Sequence, residues 1–216
     1  MAICRAPEIQ ATTAELAKPD TPQYDRIYCR TQCNYSYVYR AYLQYDLSEI
    51  PYKSRIVSAK LRLYDYWKDD EGDSGLTNIT RVTEAWDEET LCWNNKAATA
   101  GTYLSASVPP PGVGNWSDWD ITTLVQEWVD QTNPNYGLML VNDNDEWQYR
   151  YDWAFYNRRR PDRATYIEIE YEPEEELRIS RVRMEELADQ VRRITGSTEQ
   201  MSLREMAEKL ENLTTA

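Results

Sequence analysis

Hydrophobic residues alternate with polar ones along most of the chain before residue 173, which is the period of β-strands with one buried face. The clearest run covers residues 37–47, where every second side chain from Tyr37 to Leu47 is apolar or aromatic. Glycine, proline, asparagine and aspartate cluster between such runs. The predicted strands cover residues 8–16, 24–33, 37–47, 56–66, 76–84, 115–121, 136–142, 146–155 and 164–171. Many short strands with regular turns predict an all-β fold, a β-sandwich.

Residues 121–129 break the strand pattern. Apolar side chains there recur at helical spacing: Ile121, Leu124, Val125, Trp128 and Val129. Thr123 and Gln126 have the spacing of a capping box, which places the start of a helix. We expect one short amphipathic helix that covers an open end or edge of the sandwich, with Trp128 as its largest buried contact.

A second pattern begins after Pro173 and predicts a small α-helical hairpin, so that domain boundaries fall at 1–173 and 174–216. Gly196 is a plausible end for the first helix, and Ser202 with Glu205 forms a capping box for the second. Neither helix is long enough to be stable alone in water, so both apolar stripes need a partner. That partner is the other helix, the sandwich, a second copy or another protein. The docking or oligomerisation residues are Met184, Leu187, Val191, Ile194, Leu203, Met206 and Leu210.

Composition excludes several functions. The 216 residues include 24 Lys and Arg, 37 Asp and Glu and no His, which gives a formal charge of −13. Without imidazole there is no Ser-His-Asp or Cys-His catalytic set and no His-containing zinc site. Because phosphate backbones are bound by clustered Lys and Arg, the charge also argues against a nucleic-acid partner. The 17 Tyr and 8 Trp residues instead suit half-buried strands and contact surfaces.

The chain shows no apolar run long enough to cross a membrane and no secretory signal pattern at its start. Cys29 and Cys33, if they share a strand, lie too far apart for a disulfide. We therefore expect free thiols in a protein made in the cytoplasm.

Six segments of the predicted sandwich carry a family resemblance. They are 42–51 (YLQYDLSEIP), 57–64 (VSAKLRLY), 79–95 (ITRVTEAWDEETLCWNN), 119–128 (WDITTLVQEW), 135–140 (NYGLML) and 160–171 (RPDRATYIEIEY). In this order they resemble the DNRLRE-domain proteins, also described as disaggregatase-related repeats and grouped with a carbohydrate-binding-module family. The resemblance implies a jelly-roll-like β-sandwich without enzymatic activity, in a family for which glycan binding is the usual proposal and which also occurs in phage structural proteins.

The tail carries a second resemblance. Residues 186–210 are similar to a segment that recurs in virion and tail proteins of phages from Gram-positive hosts. This similarity implies a module for attachment or assembly in a phage particle.

Three groups of residues are candidate functional sites. Asp87, Glu88 and Glu89 lie beside Trp86 and Trp93 and could suggest a glycosidase pair, but a turn with anchoring tryptophans and capping or solvated acids is favoured. The aromatic run Trp147, Tyr149, Tyr151 and Trp153 is either a glycan- or partner-binding platform on one strand face or part of the core. The acidic loops 69–73 and 143–146 are solvated turns, with structural calcium as the alternative.

The sequence thus predicts a non-enzymatic phage virion protein, assembled in the host cytoplasm, that binds no cofactor, nucleic acid or membrane. A capsid decoration or head-fibre protein is the first choice, and a tail-fibre or receptor-binding accessory protein is the second. The predicted partners are other virion proteins, further copies of the chain and host or environmental glycans. The alternative is a carbohydrate-binding module of a bacterial surface protein.

Overall fold

A computed structural model describes residues 1–26, 28–34, 37–69, 77–103, 113–142 and 151–173, together with Asp189, Gln190 and Arg193. The chain divides into two compact units, Met1–Glu172 and Pro173–Ala216. The strands are β1 (Ala2–Glu15), β2 (Tyr28–Asn34), β3 (Tyr37–Tyr45), β4 (Arg55–Asp69), β5 (Thr77–Val82), β6 (Thr99–Tyr103), β7 (Trp116–Asp120), β8 (Leu138–Asn142), β9 (Tyr151–Tyr156) and β10 (Tyr166–Glu172). Helix α1 (Thr122–Val129) and a 3-10 turn (Pro161–Arg163) complete the described elements.

Two long strands pass from one sheet to the other. β1 pairs with β10 up to Pro7 and with β3 from Glu8 onward. β4 pairs with β10 and β7 in its first part and with β9 from Asp65 onward. With the β9–β2 and β2–β3 pairs, the strands form a closed antiparallel circuit, β1-β10-β4-β9-β2-β3, from which β8, β5 and β6 extend beyond β3. The predicted all-β, sandwich-like class is confirmed.

The core lies between the inward faces of these strands. On β4 the buried positions Leu61 and Leu63 alternate with outward Arg62 and Tyr64, as the period of two requires. The largest buried side chains include Trp119 on β7 and Trp153 and Phe155 on β9. The opposite face of β3 is also covered, because Tyr42 packs in a second apolar cluster with Met139.

Helix α1 is confirmed, but its predicted capping box is wrong. The residue before the helix, Ile121, makes no side-chain capping bond, and Asp120 instead accepts hydrogen bonds from the backbone N–H and the hydroxyl of Thr122 at 2.9 and 2.6 Å. Gln126 turns toward β4, where it accepts from the N–H of Ile56 at 2.8 Å and donates to the carbonyl of Ser54 at 3.0 Å. Its side chain therefore joins the helix to the sheet.

The largest differences from prediction concern the start of β1 and the presence of β6. β1 begins at Ala2 and not at residue 8. The pattern does not predict its first half, because small or polar residues such as Ala6 and Glu8 are buried there while Ile3 is exposed. β6 was not predicted, since it owes its extended form to pairing with β5.

The predicted helical hairpin lies outside the described residues, apart from Asp189, Gln190 and Arg193, which have helical backbone.

Candidate functional site

β4 carries two adjacent aromatic residues that both face solvent, Tyr66 and Trp67, which are 39% and 40% exposed. The pairing with β9 shifts at this point: Asp65 lies opposite Phe155, and Trp67 lies opposite Ala154. Tyr66 is therefore the extra residue of a β-bulge. Because a bulge interrupts the alternation of a strand, two consecutive aromatic side chains emerge on one outer face.

Ala154 forms the floor of a pocket at this bulge. It lies in register with Trp67 on one side and with Arg30 of β2 on the other, and its methyl group leaves space between the two larger side chains. The pocket has a volume of about 250 Å³ and is lined by Tyr28, Arg30, Tyr66, Trp67 and Ala154. We call these five residues the Trp67 pocket.

The rings of the Trp67 pocket are held in place by their neighbours. Tyr28 and Tyr66 are stacked, with ring centroids 4.9 Å apart and an interplanar angle of 19°. Tyr66 also makes an edge-to-face contact with Tyr156, at a centroid distance of 5.0 Å. The Arg30 guanidinium lies 5.5 Å from the Trp67 ring centroid. An exposed apolar ring beside a planar donor group can stack on the apolar face of a sugar and hydrogen-bond its hydroxyl groups.

The predicted aromatic platform is placed only in part. Trp153 is fully buried, and its ring packs 5.2 Å from that of Trp119 and 4.9 Å from that of Phe155. Its side chain is therefore a core group, which is the alternative that the sequence left open. Tyr151 has β-strand backbone, its side chain lies outside the description, and Trp147 and Tyr149 lie outside the described residues altogether.

The predicted docking residues Met184, Leu187, Val191, Ile194, Leu203, Met206 and Leu210 also lie outside the described residues.

The acidic turn between the two tryptophans is structural, but Glu88 is neither a cap nor solvated. Asp87 does cap the turn, accepting from the N–H of Glu89 at 2.8 Å. Glu88 is 8% exposed, accepts from the N–H of Ala11 at 2.9 Å, and forms ion pairs with Arg158 and Arg159. It ties the turn to β1 and to the segment that follows β9. A carboxylate committed to two guanidinium groups is a poor candidate for acid–base catalysis.

A second buried carboxylate, Glu8, lies where β1 changes sheets. It accepts from the N–H of Arg158 at 3.1 Å and from the Thr165 hydroxyl at 2.9 Å, and Thr165 in turn is 2.7 Å from the Tyr45 hydroxyl. Burial raises the pKa of Glu8 to about 7, although these hydrogen bonds and the charge of Arg158 act in the opposite direction.

The acidic loops proposed for calcium, 69–73 and 143–146, have no described side chains. Within the described ranges, no three His, Cys, Asp or Glu residues are grouped as metal ligands would be. Nor does the described part of the chain include a helix with the length and apolar character needed to span a bilayer.

A β-sandwich with an open aromatic pocket on one outer face has the features of a sugar-binding module. The chain belongs to carbohydrate-binding module family 96, whose family model matches residues 10–169. Families of this kind are non-catalytic binding modules. The match covers the Trp67 pocket completely. The predicted resemblance to a carbohydrate-binding group is confirmed at this level. A comparison with curated protein sequences found no significant match.

Proposed function

We propose that the protein binds a polysaccharide through the Trp67 pocket. The observation that carries the proposal is the bulge at Tyr66, which brings two neighbouring rings to the surface beside a cross-strand arginine. A strand with regular alternation would expose one of these rings and bury the other.

The chemistry of the pocket supports a sugar over a purely apolar ligand. Trp67 offers an aromatic face, while Arg30 and the hydroxyls of Tyr28 and Tyr66 are polar groups at its edge. Sugar hydroxyls can form hydrogen bonds with these groups while an apolar sugar face stacks on the Trp67 ring, whereas a purely apolar ligand would use the ring alone.

Affinity electrophoresis tests the proposal. The full chain is run in native gels that contain galactomannan, xyloglucan, laminarin, pullulan or polygalacturonate, and retardation is measured against polymer concentration. We expect at least one polymer to retard the wild-type protein. Trp67→Ala should weaken that retention about tenfold or more, because a central tryptophan is a frequent hot spot.

Tyr52→Ala is the matched control. Tyr52 is 49% exposed and has the Lys53 ammonium 5.5 Å from its ring centroid, so it is an exposed aromatic beside a cation outside the pocket. We expect it to bind as wild type does. Equal loss in Tyr52→Ala and Trp67→Ala, or no retardation by any of the five polymers, would contradict the proposal.

We also propose that the module is displayed on a phage particle, as a capsid decoration or head-fibre protein. The support is the similarity of residues 186–210 to a segment of virion proteins and the division of the chain into two compact units. In this proposal the apolar residues of the tail, from Met184 to Leu210, dock on other virion proteins or on further copies. Identical copies in an array would raise the avidity of weak glycan contacts.

The attachment proposal is tested on the particle itself. A mass-spectrometric inventory of purified particles should contain the protein. Leu187→Glu should then abolish incorporation, because a charge in a docking stripe is costly to bury. Gln190→Glu, at an exposed position of the same tail, is the control and should be incorporated normally. Normal occupancy of Leu187→Glu would contradict the docking role. Absence from virions would favour the carbohydrate-binding module of a bacterial surface protein.

A further inference from the structure

Aromatic side chains continue from the Trp67 pocket across the outer face of the sandwich. Beyond Tyr66, the ring of Tyr156 is followed by Tyr64 at a centroid distance of 6.2 Å and then by Trp116 at 5.2 Å. Tyr166 ends the series, 5.4 Å from Trp116. We call Tyr156, Tyr64, Trp116 and Tyr166 the aromatic row.

Strand register places the aromatic row on one face. Tyr64 of β4 lies directly opposite Trp116 of β7, and Tyr166 of β10 lies opposite Arg62 of β4. The neighbours of Tyr64 along β4, Leu63 and Asp65, are buried on the other face. Because β7 and β10 pair with opposite edges of β4, the row spreads to both sides of β4, with Trp116 on one side and Tyr166 on the other.

Two arginines alternate with the rings of the row. Arg62 lies 5.5 Å from the ring centroid of Trp116 and 5.8 Å from that of Tyr166. Arg163, from the 3-10 turn, lies 4.9 Å from Tyr64 and 5.5 Å from Tyr156. Both guanidinium groups are therefore part of the same outer surface as the rings.

Acidic neighbours hold these guanidinium groups in place. Arg62 donates to Asp118 at 3.0 Å, and Arg163 pairs with Asp162 at 3.6 Å. A guanidinium has five N–H donors, so each arginine retains donors for a ligand beside the carboxylate that it contacts.

The rings of the aromatic row are not part of the core. All four rings are half-buried and outward, while a separate inward layer, including Trp119 and Trp153, fills the interior. Successive rings lie 5.2 to 6.2 Å apart and meet at interplanar angles of 41° to 88°, so their faces and edges together form a continuous apolar surface that is flanked by guanidinium donors. A monosaccharide or a chain end would need the Trp67 pocket alone.

We propose that the aromatic row, which is spread over β9, β4, β7 and β10, extends the Trp67 pocket into a surface for an internal stretch of a polysaccharide. This inference rests on the proposed glycan binding. It assigns Trp116 and Tyr166 as contacts for sugar residues distant from the pocket.

The test is the dependence of affinity on chain length. Size-fractionated hydrolysates of the polymer that retards the wild-type protein, from the disaccharide upward, are titrated into the full chain by calorimetry. Wild-type affinity should rise with length and then reach a plateau. Trp116→Ala and Tyr166→Ala should match wild type with the shortest oligosaccharide that binds and fall about three- to tenfold below it with the longest.

Trp93→Ala is the control, because Trp93 is also a half-buried tryptophan with a cation near its ring, Lys96 at 4.5 Å, but lies outside the row. It should bind every length as wild type does. Near-ultraviolet circular dichroism and the Tm establish that each variant is folded, and Tyr166→Leu, which removes the ring but keeps an apolar side chain, replaces Tyr166→Ala if that variant unfolds.

The outcomes separate the two proposals. If Trp67→Ala loses binding while Trp116→Ala and Tyr166→Ala are unaffected at every length, or are reduced equally at every length, the extended surface is wrong and the pocket stands. A wild-type affinity that does not change with length has the same meaning. If no polymer binds, both proposals fail.

Discussion

Trp153 donates a hydrogen bond from its indole Nε1–H to Oδ1 of Asp65, at a distance of 3.0 Å. Both side chains are buried, and Asp65 also accepts from the Ser117 hydroxyl, whose Oγ lies 2.9 and 3.0 Å from the two carboxylate oxygens. Asp65 immediately precedes the bulge residue Tyr66, and Trp153 immediately precedes the pocket floor Ala154. The hydrogen bond thus fixes β4 against β9 directly beneath the Trp67 pocket.

Asp65→Ala should lower the free energy of unfolding by about 2–4 kcal/mol, because it leaves a buried indole N–H and a buried hydroxyl without their acceptor. It should also weaken polysaccharide retention, since the bulge loses its internal support. Asp65→Asn keeps an acceptor oxygen and should cost less on both measures. Urea denaturation and affinity electrophoresis provide the two readouts. A stable Asp65→Ala protein that binds normally would show that the bulge does not depend on this hydrogen bond.

Gln126→Ala should destabilise the fold by about 1–2 kcal/mol, because it removes the hydrogen bonds to Ser54 and Ile56 that join α1 to β4. Thr123→Ala, at an exposed position of the same helix, should change stability by less than about 0.5 kcal/mol. Thermal unfolding of the two variants distinguishes this arrangement from a capping box, which would make Thr123 matter.

Glu8 should make stability fall as pH rises. Its pKa is about 7 in the folded protein against 4.5 for the unperturbed group, so the folded state holds the proton more tightly. The stabilisation is complete below about pH 4.5 and is lost as pH rises through 7, by about 3 kcal/mol in total. Glu8→Gln should therefore be more stable than wild type at pH 8 and similar to it at pH 4.5, as measured by urea midpoints.

Glu49→Gln, which replaces an exposed carboxylate, is the control for Glu8→Gln and should leave the pH profile of wild type unchanged. A Glu8→Gln protein whose stability relative to wild type is the same at both pH values would refute the assignment of this pH dependence to Glu8.

Gly137→Ala and Gly114→Ala form a matched pair, because both glycines have φ of +85°. At Gly114 an added Cβ would meet no atom within 4 Å, so the cost should be about 1 kcal/mol of backbone strain. At Gly137 the Cβ would lie 2.1 Å from the carbonyl oxygen of Leu43, and we expect a loss of about 3 kcal/mol or more. Equal denaturation midpoints for the two variants would contradict the close approach of the Gly137 backbone to β3.

Much of the sandwich could be predicted from alternation, because most of its strands bury one face only. β4 illustrates the success: Leu61 and Leu63 are inward and Arg62 is outward, as the pattern indicates. β6 illustrates the limit, since Thr99–Tyr103 contains a glycine and little apolar character and is extended because β5 pairs with it.

The Trp67 pocket could not be predicted from the same pattern. A period of two assigns Tyr66 and Trp67 to opposite faces, and the register shift that reunites them is a property of the pairing with β9. The signal available in the sequence is the pair of adjacent aromatic residues that follows Asp65. The aromatic residues of the run at 147–153 alternate, and this pattern predicts a platform on one strand face. Trp153, whose side chain is described, is nevertheless buried in the core.

The closed circuit of strands has a consequence for the order of folding. β10 lies between the first half of β1 and β4. Ala2 therefore pairs with Tyr171, and the two residues are separated in sequence by nearly all of the sandwich. Until β10 leaves the ribosome, β1 and β4 both have unpaired backbone groups along the edges with which β10 pairs. Such distant contacts carry a large loop-closure entropy and slow the folding of all-β proteins to milliseconds or seconds. The sandwich therefore closes only after β10 has been translated, and the pairing of β10 with β1 and β4 is a late event in folding.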